Sequence, residues 1–306
     1  MEGDVDIAIA GGGLAALTAG MFSARLGHST TILTGVAPGG LLLSIEQIEG
    51  LPGFPEGVPG YELCPLAQEQ AEDAGAGFVT AEVDGLERAD DGWLVRSADG
   101  DIRARAVVLA TGSHLRALGV PGAQEYAGRG VSHCASCDAP LLRDKVAVVV
   151  GGGDSGLQEA LTLAGSVARV IVLERGDALT AQESYQQRVR DHAAIEIRHG
   201  IEVTEVVGEG TVTGVRTTAG DIPCDAVFVY VGLQANTGFL NGSIALDGEG
   251  RVPADAHLRT ELPGVLAAGS VRGDASFQAA SAAGDGAAAA KSAHRYLSDG
   301  IWRDGG

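Results

Sequence analysis

The chain is poor in proline, aromatic side chains, cysteine and positive charge, and each shortage excludes something. Its 306 residues hold 10 prolines, against 47 glycines, and 45% of them are hydrophobic. That balance does not fit a disordered or Pro-rich chain and does fit an α/β enzyme with tight strand-to-helix turns. Four cysteines in a chain of this length do not make a disulfide-stapled secreted scaffold. Only 21 Lys and Arg face 40 Asp and Glu, a formal net charge of −19. Such a polyanion is not expected to bind nucleic acid or an anionic membrane surface; its simplest reading is solubility, and the sharper one is a preference against strongly acidic protein partners. No apolar run reaches membrane-spanning length. Met1-Glu2-Gly3-Asp4 shows neither a basic leader nor an apolar signal core, so a cytoplasmic location is expected. The length suffices for two domains of ordinary size.

What is present is a unit that occurs twice. Val5 to Ala10 reads as a short buried strand that runs into Gly11-Gly12-Gly13-Leu14-Ala15-Ala16 and then an apolar helix to about Leu26. Val146 to Val150 reads as a second buried strand, running into Gly151-Gly152-Gly153-Asp154-Ser155-Gly156 and a helix to about Ala164. Each helix is followed by a β-branched strand, Thr30 to Leu33 and Val170 to Leu173, and Gly13 to Thr34 spans the same interval as Gly153 to Glu174. In such a unit the first glycine makes the tight turn and the second lets the backbone approach a pyrophosphate. The third small residue, Ala16 or Gly156, lets helix and strand pack closely. Phosphates then meet the free N–H groups and positive dipole end of the helix. One glycine turn is weak evidence; two in matched context predict two Rossmann-type nucleotide sites.

The copies differ where they would touch a ribose. Glu174 in the second can accept from a 2′-hydroxyl, which favours NADH over NADPH, although Arg175 stands next to it as a possible partner for a 2′-phosphate. The first copy has Thr34 at that place. Buried strands at Ala106–Gly112, Asp225–Gly232 and Val265–Gly269 complete the sheets. A small-residue helix follows from about Gln278 to Leu297, in which Gly284 and Gly286 mark close backbone approach. The expected fold is α/β, two Rossmann-like nucleotide-binding domains with the second inserted in the first. Residues 1–114 and 245–306 form the outer domain and 115–244 the inserted one.

Cys134-Ala135-Ser136-Cys137 lies just before the second unit, and its two-residue spacer suits reversible dithiol chemistry. A zinc site needs a second pair of ligands, which Cys64 and Cys224 do not supply; both read as buried small residues. Asp138 can move a proton to or from a thiol, or cap a helix. His133 can raise the thiolate population or be structural. Arg116, Arg129 and Arg143 form either a local basic patch or ordinary solvated surface.

These motifs, in this order, resemble the low-molecular-weight thioredoxin reductases and the flavoprotein of alkyl hydroperoxide reductase. The matching segments are GGGLAALTAG at 11–20, GLPGFPEGVPGYEL at 50–63, LATGSHLRALGVPG at 109–122 and CASCDAPLLRDKVAVVVGGGDSG at 134–156. VGLQANTGFL at 231–240 and GVLAAGSVRGDASFQAASAAGDGAAAA at 264–290 complete them. The resemblance implies FAD on the first unit, near Gly11, Gly13, Ala16, Thr34, Gly40, Gly50, Thr111, Gly112, Ser270, Gln278 and Ala279. It implies a nicotinamide on the second, near Gly151, Gly153, Asp154, Ser155, Gly156, Glu174 and Arg175. It further implies electron flow from nicotinamide through flavin and the cysteine pair to an external disulfide. In that scheme Cys137 faces the flavin, Cys134 attacks substrate and Asp138 is the acid–base. A homodimer, and a rotation of the inserted domain between half-reactions, are implied too.

The departures are specific. Thioredoxin reductases carry a His-Arg-Arg cluster after the second Rossmann strand; here Leu173-Glu174-Arg175-Gly176-Asp177 looks more like the NADH-using flavoprotein. That flavoprotein also carries a thioredoxin-like module that this sequence lacks, so the expected partner is a separate thioredoxin-like protein or a small disulfide. On the flavin side the family has an acidic residue at 34, Gln at 41, Asn at 50, Asp at 270 and a basic residue before Gln278. This chain has Thr34, Leu41, Gly50, Ser270 and Phe277. Each lost contact costs about 1 kcal/mol, so flavin binding or potential is expected to differ. Two other readings share the scaffold: a dithiol oxidase using oxygen, against which Gly151–Gly156 and Glu174 argue, and a non-catalytic nucleotide sensor, against which the cysteine pair argues.

Overall fold

The computed structural model describes residues 3–302; the sequence-derived segment limits at 1 and 306, and the Met1-Glu2 start, lie outside them. The chain divides into two compact units. One runs through His114 and resumes at Gln234; the other is Leu115–Leu233. The return point corrects the boundary read from sequence, because residues 234–244 belong to the outer unit. Leu240 and Ile244 are buried in its core with Leu86, Trp93 and Val265, and a short apolar segment between two turns carries no mark of which core it enters.

In the outer unit, seven strands form one sheet. Gly77–Val79, Thr30–Leu33, Gly3–Ala10 and Ile102–Leu109 run parallel in that order, with Val265–Ala267 also pairing with Ile102–Leu109. Ile7, Ala8, Ile9 and Ala10 are all fully buried, the pattern of a parallel strand covered on both faces. The sheet continues with Gly92–Ser97 and Val83–Ala89, which are antiparallel. The helix Leu14–Arg25 starts from an extended Gly13 and ends on Arg25, whose charge suits the carbonyl end. The helix Ala279–Asp299 closes on Gly300 in the left-handed conformation. It crosses the first helix at Gly286, where a Cβ would stand 2.3 Å from the Ala15 carbonyl oxygen. Gly284 has open space instead, so only Gly286 is required for the crossing.

The inserted unit repeats the plan. Ile195–His199, Arg169–Glu174, Val146–Val150, Ala226–Val229 and Val131–Ser132 form a parallel five-stranded sheet. Phe228, Val149, Val172 and Leu157 are buried between that sheet and its helix Asp154–Ala164. A separate antiparallel ribbon, Val203–Glu209, Thr211–Thr217 and Gly220–Pro223, precedes the strand Ala226–Val229. Both antiparallel ribbons went unread in the sequence, since they lie between the glycine signals and contribute only alternating burial. No helix of the described residues is long and apolar enough to cross a membrane.

Candidate active site

The two glycine turns match in their hydrogen bonding. The Gly11 N–H donates to Leu33 O at 2.8 Å, and the Gly151 N–H to Leu173 O at 2.9 Å. Gly11 has φ +123° and a Cβ there would lie 2.1 Å from Ala110 O; Gly151 has φ +117° and 2.2 Å to Tyr230 O. Both positions therefore require glycine. The carbonyls of Gly12 and Gly152 accept from Gly39 N at 2.6 Å and Thr180 N at 3.0 Å. Neither following helix has a side-chain cap, which leaves amino-terminal N–H groups for an anion.

Beside the second turn, Glu174 Oε2 accepts the Gly152 N–H and Oε1 the Gly176 N–H, each at 2.8 Å. The carboxylate is thus fixed on the turn itself, with Arg175 exposed next to it. Asp154 lies at the head of the helix, but its oxygens accept from the backbone and side-chain nitrogens of Gln182, both at 2.7 Å. Ser155 is exposed, and Gly156 packs so closely that a Cβ would stand 2.1 Å from Gly151 O.

At the first turn, Thr34 occupies the place that Glu174 holds at the second. It is buried, and its hydroxyl faces Gly35 O at 3.2 Å and Val79 O at 3.5 Å. Ala16 is fully buried, and Gly40 lies against Gly13 Cα. A Cβ on Gly50 would be 3.0 Å from Gln278 Oε1, which places the loop at 50 beside the head of the last helix. Ala279 is buried with Leu14 and Ile48. Thr111 donates to Asn236 O at 2.8 Å, and Gly112 faces Ser270, whose carbonyl accepts from Ser113 Oγ at 2.9 Å.

Three residues of this cradle escaped the sequence reading. Asn236 Nδ2 donates to Thr111 O at 2.9 Å; its motif was visible but was assigned to the inserted segment. Asp285 Oδ2 accepts the Gly269 N–H at 2.9 Å and Arg272 Nε at 2.7 Å. A carboxylate therefore reaches the turn next to Ser270 although position 270 has none; an Asp inside an Ala-Gly helix was the available signal. Arg251 lies over the Phe277 ring at 4.4 Å, so a guanidinium stands where a basic residue before Gln278 is missing. Its Nε is buried with no hydrogen-bond partner among the described residues. The open space at Gly13, the uncapped helix head and this unspent donor suit an FAD; the matching turn at Gly153 suits a nicotinamide dinucleotide.

Cys134 and Cys137 are joined in a disulfide, Cα atoms 5.4 Å apart. Cys134 caps the short helix Ala135–Asp138, its Sγ accepting the Cys137 N–H at 3.3 Å. The side chain of Asp138, also read as a helix cap, makes no capping bond. His133 Nδ1 lies 2.9 Å from Val229 O, which fixes it as the donor nitrogen. Burial pushes the Cys64 thiol up to about 11 and, with help from Asp225, the Cys224 thiol up to about 12. After mild reduction of the native protein, iodoacetamide at pH 8 is therefore expected to label Cys134 and Cys137 and spare the other two. Peptide mass spectrometry showing equal labelling of all four would overturn this.

The arrangement pairs a dithiol/disulfide with two dinucleotide turns, one of them on the cysteine-bearing unit. A family model described as pyridine nucleotide-disulphide oxidoreductase matches residues 5–287. A thioredoxin reductase of Treponema pallidum is 35% identical over 97% of this chain and 98% of its own length. Crystal structures of thioredoxin reductases from Lactococcus lactis (FR conformation) and T. acidophilum superpose with TM-scores of 0.92 and 0.91. They are 33% and 35% identical and cover 96% of this chain and 99% of theirs. The chain thus belongs to the pyridine nucleotide-disulphide oxidoreductase family, enzymes that use FAD and a nicotinamide to act on a disulfide.

Proposed function

We propose that this enzyme reduces the disulfide of a thioredoxin-like protein, or a small disulfide, at the expense of NADH in preference to NADPH. The observation that carries the reading is the Cys134–Cys137 disulfide on the same unit as the Gly151–Gly156 turn and its anchored Glu174. Gly11, Gly13, Ala16, Thr34, Gly40, Gly50, Thr111, Gly112, Ser270, Gln278 and Ala279 hold FAD. Gly151, Gly153, Asp154, Ser155, Gly156, Glu174 and Arg175 hold the nicotinamide dinucleotide. When bound, FAD accepts hydride from the nicotinamide and supplies two electrons for the disulfide. Cys137 is the sulfur that receives them, Cys134 attacks the external disulfide, and half-buried Asp138 carries the proton between thiol and solvent. We further assign a homodimer and a cytoplasmic location. The outer segments are the FAD-binding domain and the inserted one the nicotinamide domain, the reading given by the two turns.

Glu174 supports the choice of donor because an anchored carboxylate repels a 2′-phosphate and accepts from a 2′-hydroxyl. A hydrogen bond to a charged group contributes about 1.5–3 kcal/mol, so NADH is expected to bleach the flavin about tenfold or more faster than NADPH at limiting concentration. Glu174→Ala should erase most of that margin. Anaerobic stopped-flow at the flavin band reads both. Equal rates would sink the NADH preference, and no bleaching with either nucleotide would sink the reductase reading. Oxygen uptake driven by a dithiol without nicotinamide would instead establish the oxidase.

A further inference from the structure

Beneath the cysteine pair lies a polar contact that the scheme above does not use. Glu159, on the helix that begins at the second glycine turn, accepts the Ala135 N–H at 2.8 Å through Oε2. The same oxygen accepts the Tyr230 hydroxyl at 3.0 Å. Tyr230 is buried, and its phenol is pushed up by that burial and by the Glu159 carboxylate, so it stays a donor. Ala135 is fully buried and is the first residue of a four-residue helix that continues only as the short 3-10 turn Ala139–Leu142. So short a helix has no cooperative stability of its own and must be held from outside. At the same end the Cys137 N–H donates to Cys134 Sγ, which is a reacting sulfur, the Cys134 N–H to Ser132 Oγ at 3.1 Å and the Asp138 N–H to Cys134 O at 3.3 Å; of these contacts, Glu159 alone comes from a distant element.

We propose that Glu159, braced by Tyr230, is a positioning residue that clamps the amino end of the Cys134–Cys137 turn and thereby sets the balance between disulfide and dithiol. Two thiols held in one geometry reach a high effective concentration, which favours the closed disulfide. Reduction breaks the S–S bond, with two electrons and two protons arriving, one proton at each sulfur. It also frees the two sulfurs to separate. The Glu159 bond limits that freedom because Ala135 lies between Cys134 and Cys137 and its N–H is tethered to the nucleotide helix. Without the tether the dithiol gains conformations and the balance moves toward reduction.

The inference rests on the reading of Cys134–Cys137 as a redox pair, and its test separates the two. The holoenzyme is equilibrated anaerobically with glutathione and its disulfide, without nicotinamide, then alkylated; mass spectrometry counts open and closed pairs. Two glutathione thiols give up the electrons and protons that open one protein disulfide, so the reaction is balanced. Glu159→Ala is expected to move the equilibrium about tenfold toward dithiol, which is about 30 mV. Glu159→Gln keeps an oxygen acceptor and should remain within about threefold of wild type. Tyr230→Phe removes only the brace and should shift the balance the same way by a smaller factor, which keeps the test open if Glu159→Ala does not fold. An unchanged equilibrium in Glu159→Ala, or in Tyr230→Phe if that alone folds, overturns the clamp. A shift in Glu159→Gln equal to that in Glu159→Ala also overturns it, since charge and not the tether would then be responsible. If the wild-type pair itself does not open with glutathione, the redox-pair reading fails instead.

Discussion

Replacing Cys134 or Cys137 by serine is expected to lower disulfide reduction by about 10³-fold or more, while nicotinamide still bleaches the flavin. The two residues form a single covalent device. With one sulfur gone, no internal disulfide can store two electrons, and the remaining thiol has no resolving partner. The two glycine turns are untouched, because the serine hydroxyl is close in size to the thiol and a hydroxyl at position 134 can still cap the turn. The two serine variants should also differ. If Cys134 is the attacking sulfur, Cys137→Ser alone should trap a mixed disulfide with an external thiol reagent, and Cys134→Ser should not. Turnover within tenfold of wild type in either variant would remove the pair from the mechanism.

Gly11→Val should sharply lower flavin retention, and Gly151→Val should spare it. At Gly11 a side chain would need φ +123° and would put its Cβ 2.1 Å from Ala110 O. The left-handed strain costs about 1–2 kcal/mol and overpacking about 1–3 kcal/mol. Together that lowers affinity for FAD on the order of 100-fold, counting 1.4 kcal/mol per factor of ten. The ratio of flavin to protein absorbance in purified protein, with circular dichroism to verify folding, gives the readout. The same change at Gly151 meets Tyr230 O at 2.2 Å and belongs to the inserted unit. It should leave flavin content intact and slow bleaching by nicotinamide. Equal flavin loss from both substitutions would contradict the assignment of one nucleotide to each turn.

Two departures from the family pattern have a charged side chain from elsewhere in the chain beside them. Judged by position, four contacts and a basic residue were missing. Asp285 brings a carboxylate from the last helix to Gly269, and Arg251 brings a guanidinium over Phe277. Neither residue is near in sequence to the position it lies beside, and no periodicity points to it. A long-range approach of this kind is invisible to motif reading because it depends on which loops meet.

Much of the chemistry was nonetheless legible in local pattern. The strands Thr30–Leu33 and Val146–Val150 and the helix Asp154–Ala164 end where their residues predict. Buried parallel strands are continuous apolar runs, and glycine is obligatory where a Cβ would stand about 2 Å from a neighbouring backbone oxygen. A cysteine pair with a two-residue spacer is close enough in sequence for its sulfurs to meet in one small ring. These features are local, so the amino-acid order alone determined them. Tertiary structure decided the rest: the return to the outer unit at Gln234, the role of Asn236 at Thr111, and the grip of Glu159 and Tyr230 on Ala135. Each of these is a hydrogen bond or a buried contact between residues far apart in the chain. Its energy exists only once the sheets have brought those residues together.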